Sequence, residues 1–470
     1  MINCRGTFTI ISGSQTLAEV KRAMDEGSRH YVHLDELMDG VGQRLAELTK
    51  AEWGIVTAGC AAALTHTTAA CIAGSDPEKM QRLPDLTGLK NEVVMARASR
   101  NVYDHAIRML GVKMITPDTR EQFLEALRPT TAMVAVLGET LARHPMTLEE
   151  MTAAAHARNI PVVVDAAAER LTIPNVYLEK GADVVCYSGG KCLRGPQCAG
   201  LALGQKSLLQ AAWINSAPHH AFGRSLKVGK EEIMGVLAAV EAWTRRDHQA
   251  EWKEWEGWLN TIRQATGSVP TVRSEITQPN GPSNVAPTLR VSWNAAKVGI
   301  TGGQLADALD KGRPRIVLAG SDAVNAQGET SFSINPYMMM PGDDAMVARR
   351  IREVLTNPPK VDPPDNSPAA VQVSGRWDVD LKFGRGEARH IVFLEQSGDR
   401  VVGTHRGETL SGELQGSVNG QRVRFRSSHR YEGTSISYTF DGILSEGALA
   451  GTVGLGEYGT AKFTAKKRFA

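Results

Sequence analysis

The chain lacks the features that mark several common classes of protein. Its six cysteines, Cys4, Cys60, Cys71, Cys186, Cys192 and Cys198, all fall in the first half and include no CxxC pair. That argues against a secreted disulfide framework and against a zinc ribbon, and it fits a reducing cytoplasm. Charge of one sign is also missing: 53 basic and 51 acidic side chains leave a formal net charge of +2. With no long run of either sign, neither a nucleic-acid footprint nor a membrane-surface patch is expected. No apolar run approaches the ~20 residues that span a bilayer, and the opening MINCRGTFTIISGSQ lacks the basic-then-apolar pattern of a secretory signal. What is present is a chain of 470 residues, long enough for a large core and more than one domain, expected to act in the cytoplasm on a small molecule.

Up to residue 355, short apolar runs alternate with helical patterns. WGIVT (53–57), EVVMA (92–96), TAMVAVLG (131–138), IPVVVDA (160–166) and ADVVCYS (182–188) are apolar on both faces, as buried parallel strands are. Between them TLEEMTAAAHARN places Thr147 and Glu150 at capping-box spacing. The alternation predicts a doubly wound α/β layer. Residues 230–265 read as one or two long helices, followed by strands in APTLRVSWN, PRIVLAG and TSFSINP and a closing helix in DDAMVARRIREVL, a smaller α+β unit. The proline-rich TNPPKVDPPDNSPAA (356–370) cannot sustain a helix and reads as a linker.

Beyond it the period falls to two. Trp377, Val379, Leu381 and Phe383 alternate with polar neighbours, as do Ile436, Tyr438 and Phe440, and Asn419-Gly420 is a hairpin signal. A small antiparallel barrel or sandwich is expected. The predicted organisation is therefore a large domain over 1–229, a long helix and small α+β domain over 230–355, a linker over 356–370 and an antiparallel β domain over 371–470. In the last, His390, His405 and His429 read as scattered strand residues, and no metal site is expected. Its role is open between a ligand calyx, an oligomer contact and a lid.

The stretch CYSGGKCLRGPQCAGLALG (186–204) sets Lys191 among glycines. A lysine amine with a pKa of about 10.4 is mostly protonated in water and a poor nucleophile. Condensation with an aldehyde cofactor removes that difficulty, and pyridoxal 5'-phosphate (PLP) is the cofactor that does this most often. It asks for a carboxylate at its ring nitrogen, donors for its phosphate and a flat group on its ring face. Asp165 ends the buried run IPVVVD and is followed by three alanines, at the strand edge where α/β folds hold ligands; Ala167 leaves room for a planar ring. Strand-to-helix joint TAGCAAAL (57–64) offers Thr57 and the backbone of Gly59, Cys60 and Ala61 as a phosphate cradle, with Ser188 as a further donor. In RNVYDHAIRMLG, His105 is preferred over Tyr103 as the ring-face residue. Each feature is ordinary alone; their order shifts the balance.

That order, with the words INCRGTFTIISGS, VTAGCAAAL, YDHAIR, IPVVVDAAAER, YSGGKCLRGPQCAG and GRSLKVGKEEIMGVLAAVE, resembles the fold type I PLP enzymes, in the branch with bacterial selenocysteine synthase (L-seryl-tRNA selenium transferase) and D-glucosaminate-6-phosphate ammonia-lyase. The resemblance covers residues 2–355. It implies a mostly parallel sheet in the large domain, Lys191 as the Schiff-base lysine, Asp165 as the pyridinium partner, Ser188 with the Gly59 loop as the phosphate site, and a homodimer or higher homo-oligomer. Arg224 and Lys227, with Lys230, match a substrate-facing basic stretch; Arg315 is a candidate carboxylate clamp, since a guanidinium grips carboxylate bidentately.

Gly-Gly before the lysine resembles the lyase branch; the selenium transferases usually carry an acidic residue there. Near-neutral charge and no evident tRNA-binding domain disfavour a nucleic-acid partner. The expected reaction is α,β-elimination from a β-hydroxy amino acid or amino sugar acid. A racemase or epimerase is the alternative, because the same carbanion can be reprotonated on its other face, and a non-catalytic binding protein is a second alternative. Retention of both Lys191 and Asp165 argues against the last.

Overall fold

The computed structural model describes residues 1–360 and 367–468; within the expected linker, 361–366 lie outside the described residues. Residues 1–100 and 105–360 fall in one compact unit, residues 101–104 and 367–468 in a second.

The first unit is built on a seven-stranded sheet. Its strands are β1 (Trp53–Thr57), β2 (Glu92–Val94), β3 (Lys113–Ile115), β4 (Thr131–Leu137), β5 (Val162–Asp165), β6 (Val184–Ser188) and β7 (Gly200–Gly204). In space the order is β1-β7-β6-β5-β4-β2-β3. The steps from β6 through β5, β4 and β2 to β3 are parallel, while β7 runs antiparallel to both neighbours. Val162, Val163, Val164, Val184 and Val185 are fully buried, as strands covered by helices on both faces must be. Leu148–His156 begins with the expected capping box, Thr147 accepting from the Glu150 backbone and Glu150 from that of Thr147.

Two strands escape the sequence pattern. Lys113–Ile115 is only three residues long and half-exposed. GLALG, which became β7, lacks β-branched residues and begins and ends with glycine, a composition that argues against strand. Packing explains both glycines: a Cβ on Gly200 would stand 2.3 Å from the Gly59 carbonyl carbon, and one on Gly204 2.0 Å from Asp183 O.

Residues 230–265 form two helices, Lys230–Arg245 and His248–Gly267. They are followed by β8 (Arg273–Thr277), β9 (Thr288–Asn294), β10 (Ala319–Gly320) and β11 (Glu329–Ile334), ordered β10-β11-β9-β8, and by the helix Asp343–Thr356. The extreme N-terminus joins this smaller core: Ile2 and Asn3 pair in parallel with Ile316 and Val317, and Ile2 and Cys4 pack with Leu289, Trp293 and Ile351.

The second unit is a closed barrel of eight antiparallel strands, β12 (Gly375–Lys382), β13 (Glu387–Ser397), β14 (Arg400–Arg406), β15 (Ser411–Asn419), β16 (Arg422–Tyr431), β17 (Thr434–Ser445), β18 (Ala448–Gly454) and β19 (Thr460–Arg468). Closure removes the exposed edges that a sandwich would leave. Trp377, Val379, Leu381 and Phe440 point inward, and Gly420 turns the Asn419-Gly420 hairpin at φ +57°. The three histidines are not scattered. His390 Nδ1 lies 2.9 Å from His405 Nε2, His405 Nδ1 2.6 Å from Ser427 Oγ, and the His405 and His429 rings are 4.4 Å apart, all buried. The sequence placed each histidine on a strand, but did not show that three strands bring their rings together. Among the described residues no group of three or more His, Cys, Asp or Glu side chains is disposed to hold a metal ion, and no helix is long and apolar enough to cross a membrane.

Candidate active site

The carboxyl edge of β4, β5 and β6 gathers most of the residues singled out in the sequence. Asp165 is the last residue of β5, in register with Leu137 on β4 and Cys186 on β6, and is 5% exposed. Its Oδ1 accepts from the Ala167 N–H at 3.0 Å and from Cys60 Sγ at 3.5 Å. Burial pushes the Asp165 carboxyl upward, and the Ala167 N–H, Cys60 and the Lys191 charge act against that shift. The Lys191 ammonium therefore lies within electrostatic reach of the Asp165 carboxyl.

Lys191 stands in a tight loop between β6 and β7. Its N–H donates to Ser188 O at 3.4 Å and its carbonyl accepts from Arg194 N at 3.0 Å. Gly189 N donates to Ala199 O at 2.8 Å, Gly195 N to Gly189 O at 2.8 Å, and Ser14 Oγ to Gly190 O at 2.9 Å. The glycines before the lysine have a steric reason: a Cβ on Gly190 would sit 2.5 Å from Gln197 Cα, and one on Gly189 3.0 Å from Ala199 O. An acidic residue at position 190 would not fit this loop.

The phosphate-cradle residues sit where β1 meets the helix Gly59–Ala73. Thr57 ends the strand, buried, and spends its hydroxyl on Gly59 O at 2.9 Å, so it shapes the turn through that bond. Gly59 adopts φ +89°, a conformation that suits glycine. The N-cap, Ala58, makes no side-chain cap, so no side chain at that position occupies the first-turn N–H groups of Gly59, Cys60 and Ala61 at the positive end of the helix. Cys60 adds something the sequence did not announce, a thiol directed at Asp165, with a pKa raised well above the ordinary value by burial first and the Asp165 charge second. Ser188 N bonds Ala167 O at 3.2 Å, tying the Lys191 loop to the Asp165 turn.

Other expected residues differ from these in exposure or partners. His105 opens the short helix His105–Arg108 with an exposed side chain between buried Asp104 and Ala106. Tyr103 is 55% exposed. Arg224 and Lys227 are exposed in the segment before Lys230–Arg245, while Lys230 is tied to Glu231. Arg315 is a correction: its Nε donates to Asp310 O at 2.7 Å and lies 3.5 Å from the Asp310 carboxylate. It anchors the end of the helix Gly302–Asp310 and is no free carboxylate clamp.

Residues that sequence reasoning passed over complete the edge. Glu169, four residues after Asp165, accepts a hydrogen bond from Tyr177 OH and is buried. Glu139, just beyond β4, accepts from Ser283 Oγ at 2.7 Å. Arg246 donates to Cys192 O at 3.2 Å while paired with Glu251 at 2.7 Å, holding the Lys191 loop from outside. The only signal for Glu169 was its place inside DAAAER.

A mostly parallel sheet with one antiparallel strand, an uncapped helix start after the first strand, a buried aspartate at a central strand end and a lysine loop after the next strand define a fold type I PLP enzyme. The residues present fit that cofactor. The uncapped Gly59 turn offers donors for a phosphate, and the charge of Lys191 acts on the buried Asp165 carboxyl.

Comparison with known proteins agrees. The aminotransferase class-V family model matches residues 27–223. The D-glucosaminate-6-phosphate ammonia lyase of Salmonella typhimurium is 27% identical over 75% of this chain and 95% of its own. A solved D-glucosaminate-6-phosphate ammonia-lyase superposes with a TM-score of 0.67 at 26% identity, over 75% of this chain and 95% of that one. A 5'-C-glycyluridine monooxygenase-decarboxylase of a Streptomyces species is 28% identical over 76% and 90%, and the L-seryl-tRNA(Sec) selenium transferase of Proteus mirabilis is 34% identical over 22% of each chain. The chain has the PLP fold type I architecture and, over three quarters of its length, is similar to D-glucosaminate-6-phosphate ammonia lyase.

Proposed function

We propose that the protein is a PLP-dependent carbon-nitrogen lyase acting on a small β-hydroxy amino acid or amino sugar acid. The observation that carries the reading is buried Asp165 at the end of β5, acted on by the charge of Lys191 in the loop after β6, in a chain similar over three quarters of its length to an ammonia lyase. When bound, the cofactor supplies an electron sink for the electrons left when the substrate's α-proton departs. The Asp165 carboxylate would keep the cofactor's ring nitrogen protonated, and each pKa unit by which it raised that nitrogen would be worth about 1.4 kcal/mol. The N–H groups of Gly59, Cys60 and Ala61 hold the phosphate. Lys191 Nζ anchors the cofactor and moves the α-proton. The β-hydroxyl leaves as water, one water is taken up as the released enamine hydrolyses, and the products are a keto acid and ammonia.

Ser188 is a further phosphate donor in this reading, with Thr57 and Ala167 shaping the pocket walls. Arg224 and Lys227 face an anionic substrate. His105 remains our candidate for the ring face, and we read the protein as at least a homodimer, cytoplasmic, with the large domain over 1–229, the smaller one over 230–355, a linker over 356–370 and the β domain over 371–470.

The test is a screen of D- and L-hydroxy amino acids and amino sugar acids, with and without a terminal phosphate, in deuterated buffer. Keto acid and ammonia in equal amounts support elimination. An inverted, deuterated amino acid means racemisation or epimerisation instead. The similarity to a monooxygenase-decarboxylase adds a third arm: oxygen uptake with release of carbon dioxide overturns the lyase assignment.

A further inference from the structure

Four residues past Asp165 the chain buries a second carboxyl that the scheme above leaves unused. Glu169 is 3% exposed. Its N–H donates to Ala166 O at 3.0 Å, and its carbonyl accepts from Cys192 Sγ, the neighbour of Lys191, at 2.9 Å. The residue thus links the turn after Asp165 to the loop of the catalytic lysine. Its carboxyl rests on Gly138, where a Cβ would meet Glu169 Oε1 at 2.4 Å and Tyr177 OH at 2.7 Å. Gly138 follows Leu137, the register partner of Asp165, so the acid lies at the same strand ends.

Tyr177 OH donates to Glu169 Oε2. The N–H of Glu139 approaches the carboxyl, yet Oε1 has no hydrogen bond of normal geometry among the described residues. The groups that act on this carboxyl are acids: Asp165 at the end of β5, Glu139 after β4, Tyr177 on the helix Val176–Glu179 and Tyr187 on β6, with the Cys192 thiol on the main-chain side. Two carboxylates crowded into one buried site do not both ionise readily; one keeps its proton so that the other can be charged.

We propose that Glu169 is a positioning residue of the cofactor site, held as the neutral acid between Tyr177 and Gly138 so that Asp165 alone carries the negative charge facing the ring nitrogen. This rests on the assignment of Asp165 and Lys191 to PLP. Burial first, then the neighbouring charges of Asp165 and Glu139, push the Glu169 carboxyl up to about 7, against the hydrogen bond from Tyr177. Above neutrality Glu169 ionises and raises the proton affinity of Asp165 and of the ring nitrogen opposite it.

Two measurements test this on the full chain. In cofactor-free protein, Glu169 is protonated more readily folded than unfolded, so the wild type should lose stability to urea relative to Glu169→Gln as pH rises from about 4.5 to about 7, with no further divergence above. In PLP-loaded protein, the visible absorption of the bound cofactor should change with a midpoint near 7, should lose that midpoint in Glu169→Gln, and should show it at higher pH in Tyr177→Phe, which lacks the bond that favours the ionised form. Superimposable urea profiles overturn the proposal, as do identical cofactor titrations in wild type and Glu169→Gln. A wild-type protein that attaches no PLP through Lys191 overturns the cofactor reading itself, a result separable because the urea comparison needs no cofactor.

Discussion

The carboxyl edge of the parallel sheet and the interior of the barrel both bury ionisable side chains, and they handle them in opposite ways. At the sheet edge Asp165 is held between opposing influences, burial against a backbone N–H, a thiol and the Lys191 charge. In the barrel His405 is fully buried, bonded to His390 and Ser427, and its pKa is lowered to about 3 by burial first and by the His429 and His390 charges next. Burial is the largest influence on all three imidazoles and outweighs the opposing pull of Glu408 on His390 and of the His405 backbone on His429, so it favours their neutral, hydrogen-bonded forms. A perturbed ionisable group marks chemistry when its neighbours can exchange a proton with a ligand, and structure when they only satisfy one another.

Five substitutions would break or sharpen that contrast. The largest effect is expected at Lys191: Lys191→Ala should lower turnover about a thousandfold or more and abolish covalent retention of PLP, read by mass spectrometry after borohydride reduction, with the fold retained by circular dichroism. Next is Asp165→Asn, which preserves shape but removes the charge. At about tenfold per pKa unit lost by the ring nitrogen, a drop in kcat of on the order of a hundredfold is expected, and a variant with wild-type kcat would place Asp165 among merely structural buried acids, alongside the barrel histidines.

For the barrel the sign runs with acid. The folded pKa of His405 lies below its unfolded value of about 6.5, so its contribution to stability is complete above that value and is lost as pH falls towards 3. Hydrogen-exchange protection in Glu387–Ser397 and Arg400–Arg406, taken relative to the intrinsic amide rate at each pH, should therefore fall between pH 6.5 and 4.5, and less so in His405→Gln; equal acid sensitivity in the two proteins would remove the histidine cluster as the cause. The smallest effects separate two arginines. Arg224→Ala should raise KM for an anionic substrate about tenfold, the worth of one charge-assisted hydrogen bond. Arg315→Ala should leave KM unchanged and cost under about 1 kcal/mol of stability, because its bonds to Asp310 lie at the surface.

How far the sequence could be read follows from the range of each interaction. Apolar runs on both faces are a local signal, and β1, β2, β4, β5 and β6 lie where those runs do. β7 was missed because its glycines answer to Gly59 and Asp183, residues far away along the chain. Lys191, Asp165 and the Gly59 turn were legible because strand ends in a parallel sheet converge by topology. Glu169 was not, since its importance depends on Tyr177 and Gly138 standing over it. Arg315 misled because a proline beside an arginine says nothing of Asp310.

The amino-acid order alone determined the alternation of strands and helices, the change to period two beyond the proline-rich stretch, and the succession of phosphate turn, aspartate and lysine, because each is carried by residues within a few positions of one another. Tertiary structure alone decided which buried acids share a pocket, that Ile2 and Cys4 belong to the smaller core, and that three histidines from three strands meet inside one barrel. Burial and proton affinity depend on neighbours in space, and those neighbours exist only once the chain has folded.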